Sequence, residues 1–248
     1  MEYVSNDKLK ELKPIKRHFS IIVIIATAII VVLFCLAIVI HFDRKSSDRV
    51  GITNIDYIPE YTGEPYVELN GGIPLFDDSE KVKDAFETYS NLDSLGRCGV
   101  AYANICPELM PTDERGEIGM IKPSGWHTVK YNDLIDGNYL YNRCHLIAFC
   151  LAGENANEKN LITGTRYLNV EGMLPFEIKV SSYVNQTGNH VLYRVTPIFD
   201  GNNLVANGVQ IEAWSVEDSG KGICFNVYCY NIQPGIQIDY SSGDSWRY

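Results

Sequence analysis

Residues 141–177 read YNRCHLIAFCLAGENANEKNLITGTRYLNVEGMLPFE, and both the fold and the chemistry of the chain turn on this stretch. One histidine, two arginines and a series of asparagines and glutamates occupy a strand-like segment, a polar loop and a helical segment. Around the first segment, apolar Leu140, Leu146, Ile147 and Ala148 flank Asn142, Arg143 and His145. In an extended chain the two-residue period turns Arg143 and His145 to one face. A neutral imidazole accepts a proton from water near neutral pH, which suits a general base.

Residues 161–170 read as a short helix ended near Gly172, on which Arg166 and Asn169, three apart, share a face. The amide oxygen of Asn169 is a hard, neutral ligand suited to Mg²⁺, an ion that keeps several waters and borrows phosphate oxygens. A neutral ligand leaves the full double charge of the ion to act on phosphate, so the set reads as one built for a phosphodiester.

Working outward to the N-terminus, residues 19–40 form an unbroken apolar run without a charge, long enough to cross the hydrocarbon layer of about 30 Å as a helix. Lys8, Lys10, Lys13, Lys16 and Arg17 precede it, which favours a cytoplasmic N-terminus and an external C-terminal part. The expected organisation is a cytoplasmic tail at 1–18, a transmembrane helix at 19–41, a stalk at 42–72 and an extracellular domain at 73–248. The chain carries 21 Lys+Arg and 31 Asp+Glu. Setting aside the five basic and three acidic residues before the span leaves 16 against 28, a net −12. Such a surface repels polyanions, so any nucleic-acid site must be a local basic cleft or use a metal.

Seven cysteines are present, Cys35 in the span and six beyond it. In an exported domain those six permit up to three disulfides, with Cys98 and Cys106 spaced for a local clip. Cys144, His145 and Cys150 form a candidate zinc set whose spacing matches no zinc signature.

In the remainder, Val82, Ala85, Phe86 and Tyr89 recur at helical spacing behind Asp78 or Ser79 as cap, which predicts an amphipathic helix. Residues 98–106, CGVAYANIC, read as a buried strand ended by Pro107. Arg115 and Lys122 lie in a loop rich in Pro and Gly, where single charges read first as solvated and second as contacts to a phosphate. Three alternating runs, 190–199, 204–216 and 223–231, predict an antiparallel meander.

Taken together, Asn142-Arg143-Cys144-His145, Asn160-Leu161-Ile162-Thr163, Thr165-Arg166-Tyr167-Leu168-Asn169 and Glu177 resemble the DNA/RNA non-specific endonuclease family of ββα-metal nucleases. Within that family the likeness is to the streptococcal-type secreted DNases and DNA-entry nucleases. It extends over residues 71–240, including PELMP at 107–111, KPSGW at 122–126 and LYRVTPIF at 192–199. The family motif is Asp/Asn-Arg-Gly-His, so Cys144 stands where the family has glycine.

The resemblance implies that His145 is the general base, Asn169 the single protein ligand of Mg²⁺ with Mn²⁺ as a substitute, and Glu177 an organiser of the metal's waters. It makes Arg143 and Arg166 phosphate contacts and Asn160 a support of the site. It further implies an α+β fold in which a ββα-metal nuclease core carries a central antiparallel sheet, here preceded by one N-terminal transmembrane helix. The expected activity is that of a membrane-anchored extracellular endonuclease acting on DNA, with RNA as a second substrate, and leaving 5′ phosphates. The competing reading is a catalytically silent nucleic-acid-binding or adhesion ectodomain.

Overall fold

In chain order the elements are β1 (Tyr66–Glu68), β2 (Phe86–Tyr89), β3 (Ala101–Ile105), β4 (Tyr141–His145), α1 (Phe149–Ala152), β5 (Leu161–Thr165), α2 (Leu174–Thr187), β6 (Val191–Ile198), β7 (Gly208–Ser215), β8 (Cys224–Tyr230), β9 (Ile236–Ile238) and β10 (Ser245–Arg247). They come from a computed structural model that describes residues 58–248. The expected transmembrane helix and the first part of the expected stalk lie outside the described residues. Among the described residues no helix is long and apolar enough to cross a membrane. β1, inside the stretch expected as stalk, pairs with β8 and belongs to the sheet.

The three alternating runs form the expected meander, β6 to β8, and the main sheet has the antiparallel order β1-β8-β7-β6-β3-β2. The two-residue period splits its side chains cleanly. One face presents Ala103, Ile105, Val191, Tyr193, Val195, Ile211, Ala213, Val227 and Cys229, all buried in one cluster with Val180 and Val184 of α2 and Leu168 and Met173 just before it. Each large side chain removed from water in this way contributes about 1.5–3 kcal/mol. Gly188 ends α2 at φ 69°, a left-handed value that glycine adopts freely, with its N–H on the Val184 carbonyl.

The opposite face is polar and buried. Arg194, Glu212 and Asn226 stand in one cross-strand row. Arg194 Nε donates to Glu212 Oε2 at 2.8 Å, and Gln210 donates to Asn226 at 2.8 Å. Residues 73–84 cross this face as a strap whose backbone is bonded by those side chains. Leu75 N–H donates to Glu212, Arg194 donates to the Leu75 carbonyl, and Asn226 donates to the Ile73 carbonyl. Asn104 donates to the carbonyls of Val82 and Asp84.

That network overturns the helix expected from Asp78 through Tyr89. The strap's backbone groups are taken by buried polar side chains of the sheet, and Phe86–Tyr89 runs instead as edge strand β2 against β3. The aromatic side chains of the run pack across strands, Phe86 edge-on to Tyr102 at 4.9 Å. Local helical spacing yields here to a ladder of tertiary hydrogen bonds.

A second correction concerns residues 161–170. Leu161–Thr165 is strand β5, paired with β4 so that His145 stands opposite Leu161 and Tyr141 opposite Thr165. Helix begins only after it, and runs from 166 to 187 without ending at Gly172. The hairpin and the helix that follows form the expected ββα unit, laid on the apolar face of the sheet.

Among the described residues the cysteines do not pair. Cys98, Cys106, Cys144, Cys150, Cys224 and Cys229 are all free. Cys98 and Cys106 lie beyond opposite ends of β3, and Cys98 Sγ is engaged with the carbonyls of Glu158 and Leu161.

Candidate active site

Arg115, Arg143, His145, Arg166, Asn169 and Glu177 line one cavity of about 700 Å³ where the β4–β5 hairpin meets the start of the long helix. Five of these six are site residues expected from the sequence. The sixth expected residue, Asn160, lies behind the wall rather than in it. Fully buried, it accepts from the Ile147 N–H at 2.8 Å and donates to the Ile147 carbonyl at 2.9 Å. It therefore zips the chain leaving β4 to the chain entering β5, just beyond His145.

His145 is buried at the end of β4. Its Nε2 lies 2.8 Å from the Asn155 carbonyl oxygen, which can only accept, so the proton sits on Nε2 and Nδ1 carries the free lone pair. Arg115 reaches to 3.4 Å from that Nδ1. Burial first, then the positive charge of Arg115, push the imidazole pKa below its ordinary value, against the opposing effect of the Asn155 carbonyl. The ring is thus held neutral, with its basic nitrogen toward the arginine.

The helix delivers Asn169 and Glu177 to the same cavity by a local irregularity. Eight residues at 3.6 per turn overshoot two full turns by about 80°. Residues Leu168–Met173 form a π-helical turn, in which the Leu174 N–H bonds the Asn169 carbonyl five residues back. The wider turn takes up the excess and aligns both side chains. The same turn admits Pro175 near the start of α2, where a missing N–H and a ring clash are tolerated.

Glu177 is 8% exposed, and burial lifts its carboxyl pKa to about 7, with Arg115 as the opposing influence. Among the described residues no protein group hydrogen bonds its carboxylate or the side-chain amide of Asn169. A buried acid and an amide oxygen, both unclaimed and opening on one polar cavity, fit a hydrated divalent cation. Asn169 would hold such an ion and Glu177 would bind its waters.

The arginines differ. Arg143 is committed to the adjacent loop, since Nε donates to the Ile121 carbonyl, Nη2 donates to the Gly119 carbonyl, and the guanidinium lies 4.0 Å over the Trp126 ring. Arg166 makes no such side-chain hydrogen bond among the described residues and is available to an anion. Arg115, read in the sequence first as a solvated loop charge and second as a phosphate contact, is the functional candidate that single-residue reasoning undervalued. Its signal is spatial, because thirty residues separate it from His145.

Cys144 is fully buried, and its Sγ faces away from the cavity toward Gly164, where an added Cβ would come within 2.3 Å of it. Its backbone is not left-handed, so the glycine of the family motif is not needed here for conformation. Cys150 does line the cavity. Cys144, His145 and Cys150 therefore do not converge on one point, and the zinc set suggested by their spacing does not form.

The sequence profile of the DNA/RNA non-specific endonuclease family matches residues 78–217. NucA from Streptococcus agalactiae, solved with magnesium bound, is similar at 26% identity over 84% of this chain and 95% of that one, with a TM-score of 0.68. The same nuclease without metal gives 27% identity, 78% and 92% coverage and a TM-score of 0.67. The Sda1 nuclease, solved with a bound zinc ion, shares the fold at 24% identity and a TM-score of 0.61, over 75% of this chain and 98% of that one. With more than half of its length matched, and with its ββα unit presenting a histidine, an asparagine and a glutamate to one cavity, the chain belongs to the DNA/RNA non-specific endonuclease family.

Proposed function

We propose that the protein is a membrane-anchored extracellular endonuclease that uses Mg²⁺, with Mn²⁺ as a substitute, to hydrolyse phosphodiester bonds of DNA and, secondarily, RNA. The observation that carries the mechanism is the pairing of a neutral His145, its Nδ1 unprotonated, with an unclaimed Asn169 and Glu177 in one cavity. His145 Nδ1 takes a proton from water, the hydroxide oxygen bonds to phosphorus in line, and the 3′ oxygen leaves, so that products carry 5′ phosphates. A divalent cation held by Asn169 would supply charge to the non-bridging and departing oxygens.

Arg115 has a further part in this reading. It donates to Nδ1, and a phosphate oxygen is the stronger acceptor. Arrival of the backbone would draw the guanidinium off the imidazole and release its lone pair. Arg166 is the second phosphate contact, while Arg143 holds the 119–126 loop that forms one wall. All these groups address the backbone rather than base edges, so cleavage should show little sequence preference.

The membrane reading rests on the apolar run at 19–40 and the basic residues before it. Purified full-length protein is expected to nick plasmid DNA with Mg²⁺ and to stop on addition of EDTA, and Asn169→Ala is expected to abolish turnover and weaken Mg²⁺ affinity. Cleavage that persists in EDTA, or an unchanged metal titration for Asn169→Ala, would refute the assignment. Protease shaving of intact cells tests the topology, with loss of the C-terminal domain as the expected result.

A further inference from the structure

Beyond the end of the β3–β6 ladder, Cys106, Glu108 and His190 bring one potential ligand atom each to within 4.8 Å of one another. The topology makes this more than a chance encounter. Ile105 is registered with Val191 across β3 and β6, so Cys106 and His190 are the next cross-strand neighbours beyond the end of that ladder. Glu108 follows in the turn that leaves β3, where the Leu109 N–H bonds the Cys106 carbonyl.

The histidine is already oriented. Glu217, just after β7, accepts from the His190 backbone N–H at 2.8 Å through Oε2 and meets ring Nδ1 at 2.7 Å through Oε1. A carboxylate holding one ring nitrogen fixes the ring and leaves the lone pair on Nε2, which is the arrangement behind most histidine–zinc bonds. Cys106 is fully buried, Glu108 is exposed and His190 is partly covered, so the cluster is closed at the thiol and open at the carboxylate.

We propose that Cys106, Glu108 and His190 form a zinc site separate from the nuclease centre, with Glu217 as the residue that positions His190. Thiolate, imidazole and carboxylate together select Zn²⁺ over Mg²⁺ or Ca²⁺. Donor atoms of a tetrahedral zinc site lie about 3.3–3.8 Å apart, so closure from the 4.8 Å limit needs side-chain movements of about 1 Å. On binding, the Cys106 thiol loses its proton to solvent and water completes the fourth position. The ion would join the start of the segment that carries Arg115 to the chain just after α2, which carries Glu177. It would therefore brace both walls of the nuclease cavity without entering it.

Cobalt(II) tests this directly, because only a thiolate ligand gives the cobalt charge-transfer band in the near ultraviolet. Metal-free full-length protein, kept reduced, is titrated with Co²⁺, and each variant is checked by circular dichroism for an unchanged fold. A one-equivalent band is expected in the wild type and in Cys150→Ser, which removes the thiol of the nuclease cavity, and no band in Cys106→Ser. Glu217→Gln should keep the band but weaken Co²⁺ affinity about 10–100-fold, as loss of a carboxylate partner of a ligating histidine does. Zinc added afterwards should bleach the band. Absence of the band in the wild type, its survival in Cys106→Ser, or its loss in Cys150→Ser would overturn the site, and unchanged affinity in Glu217→Gln would overturn the positioning role.

Discussion

Glu177 and Glu212 are both buried carboxylates, and their surroundings are opposite. Glu212, on the polar face of the sheet, is fully buried, paired with Arg194 at 2.8 Å and bonded by the Leu75 N–H at 2.7 Å. Glu177, on the other side, has no protein hydrogen bond among the described residues, and burial lifts its pKa to about 7. One acid is spent on holding the strap at 73–84, while the other is kept in reserve at a cavity. An unpaired buried charge is expensive, and a fold that retains one has a use for it outside the protein's own contacts.

Removing groups from each side of the sheet should lower a different property in each case. His145→Ala, on the reserved side, should lower kcat about 10²–10⁴-fold with little change in melting temperature, as loss of a general base does. The wild-type rate should fall on acidification with a midpoint below pH 6.5, because burial and Arg115 lower the pKa of the imidazole and only its neutral form accepts a proton. Glu212→Gln should do the reverse. It leaves Arg194 buried with only Glu80, at 3.6 Å, as an ion partner, and should cost roughly 3 kcal/mol in a denaturant melt while Mg²⁺-dependent cleavage at permissive temperature is retained. An inactive but stable Glu212→Gln would erase the distinction.

Glu177→Gln should separate function from stability in a single variant. A carboxyl whose folded pKa is raised from 4.5 to about 7 destabilises the folded state as pH rises through that window, since the folded state then binds the proton more tightly than the unfolded one. Glutamine has no proton to lose, so in EDTA the variant should match wild type near pH 4 and exceed it by about 3 kcal/mol at pH 8. Cleavage with Mg²⁺ should be impaired at pH 8, where the wild type is active. Equal stability at pH 8 would show that the acid is satisfied after all.

The sequence made the reserved side legible more readily than the satisfied one. His145, Asn169 and Glu177 stand at spacings that a ββα nuclease uses, and the alternation of 190–199, 204–216 and 223–231 announces the meander. What escaped was set by distant partners. Val82, Ala85, Phe86 and Tyr89 have helical spacing, and nothing local reveals that Asn104, Arg194, Glu212 and Asn226 claim the backbone of the strap at 73–84. Gly172 and Pro175 look like helix terminators, yet the π turn between 168 and 173 absorbs both and brings Glu177 into line with Asn169. The β-branched LITGT of β5 carries its own strand signal, which the helical pairing of Arg166 with Asn169 obscured by drawing the helix start too early. Arg115 belongs to a loop whose course only the fold determines.

Cys144, like Glu212, is a side chain fully used inside the protein, and it offers the smallest effect and the finest test. An added Cβ at Gly164 would lie 2.3 Å from Cys144 Sγ and 3.0 Å from its Cβ. The sulfur therefore occupies space that residue 164 must leave open. Gly164→Ala should cost about 1–3 kcal/mol in the wild-type background through overpacking. In a Cys144→Gly background the same change should cost less, with a coupling of about 1 kcal/mol between the two positions. Leu168, 3.2 Å from the same point, keeps the relief incomplete. Cys144→Gly alone should leave cleavage within a few-fold of wild type, because the thiol faces Gly164 and the core. If instead a folded Cys144→Gly loses activity as steeply as His145→Ala, a fully packed group would be serving the chemistry, and satisfaction inside the protein would no longer separate the structural residues of this cavity from the functional ones.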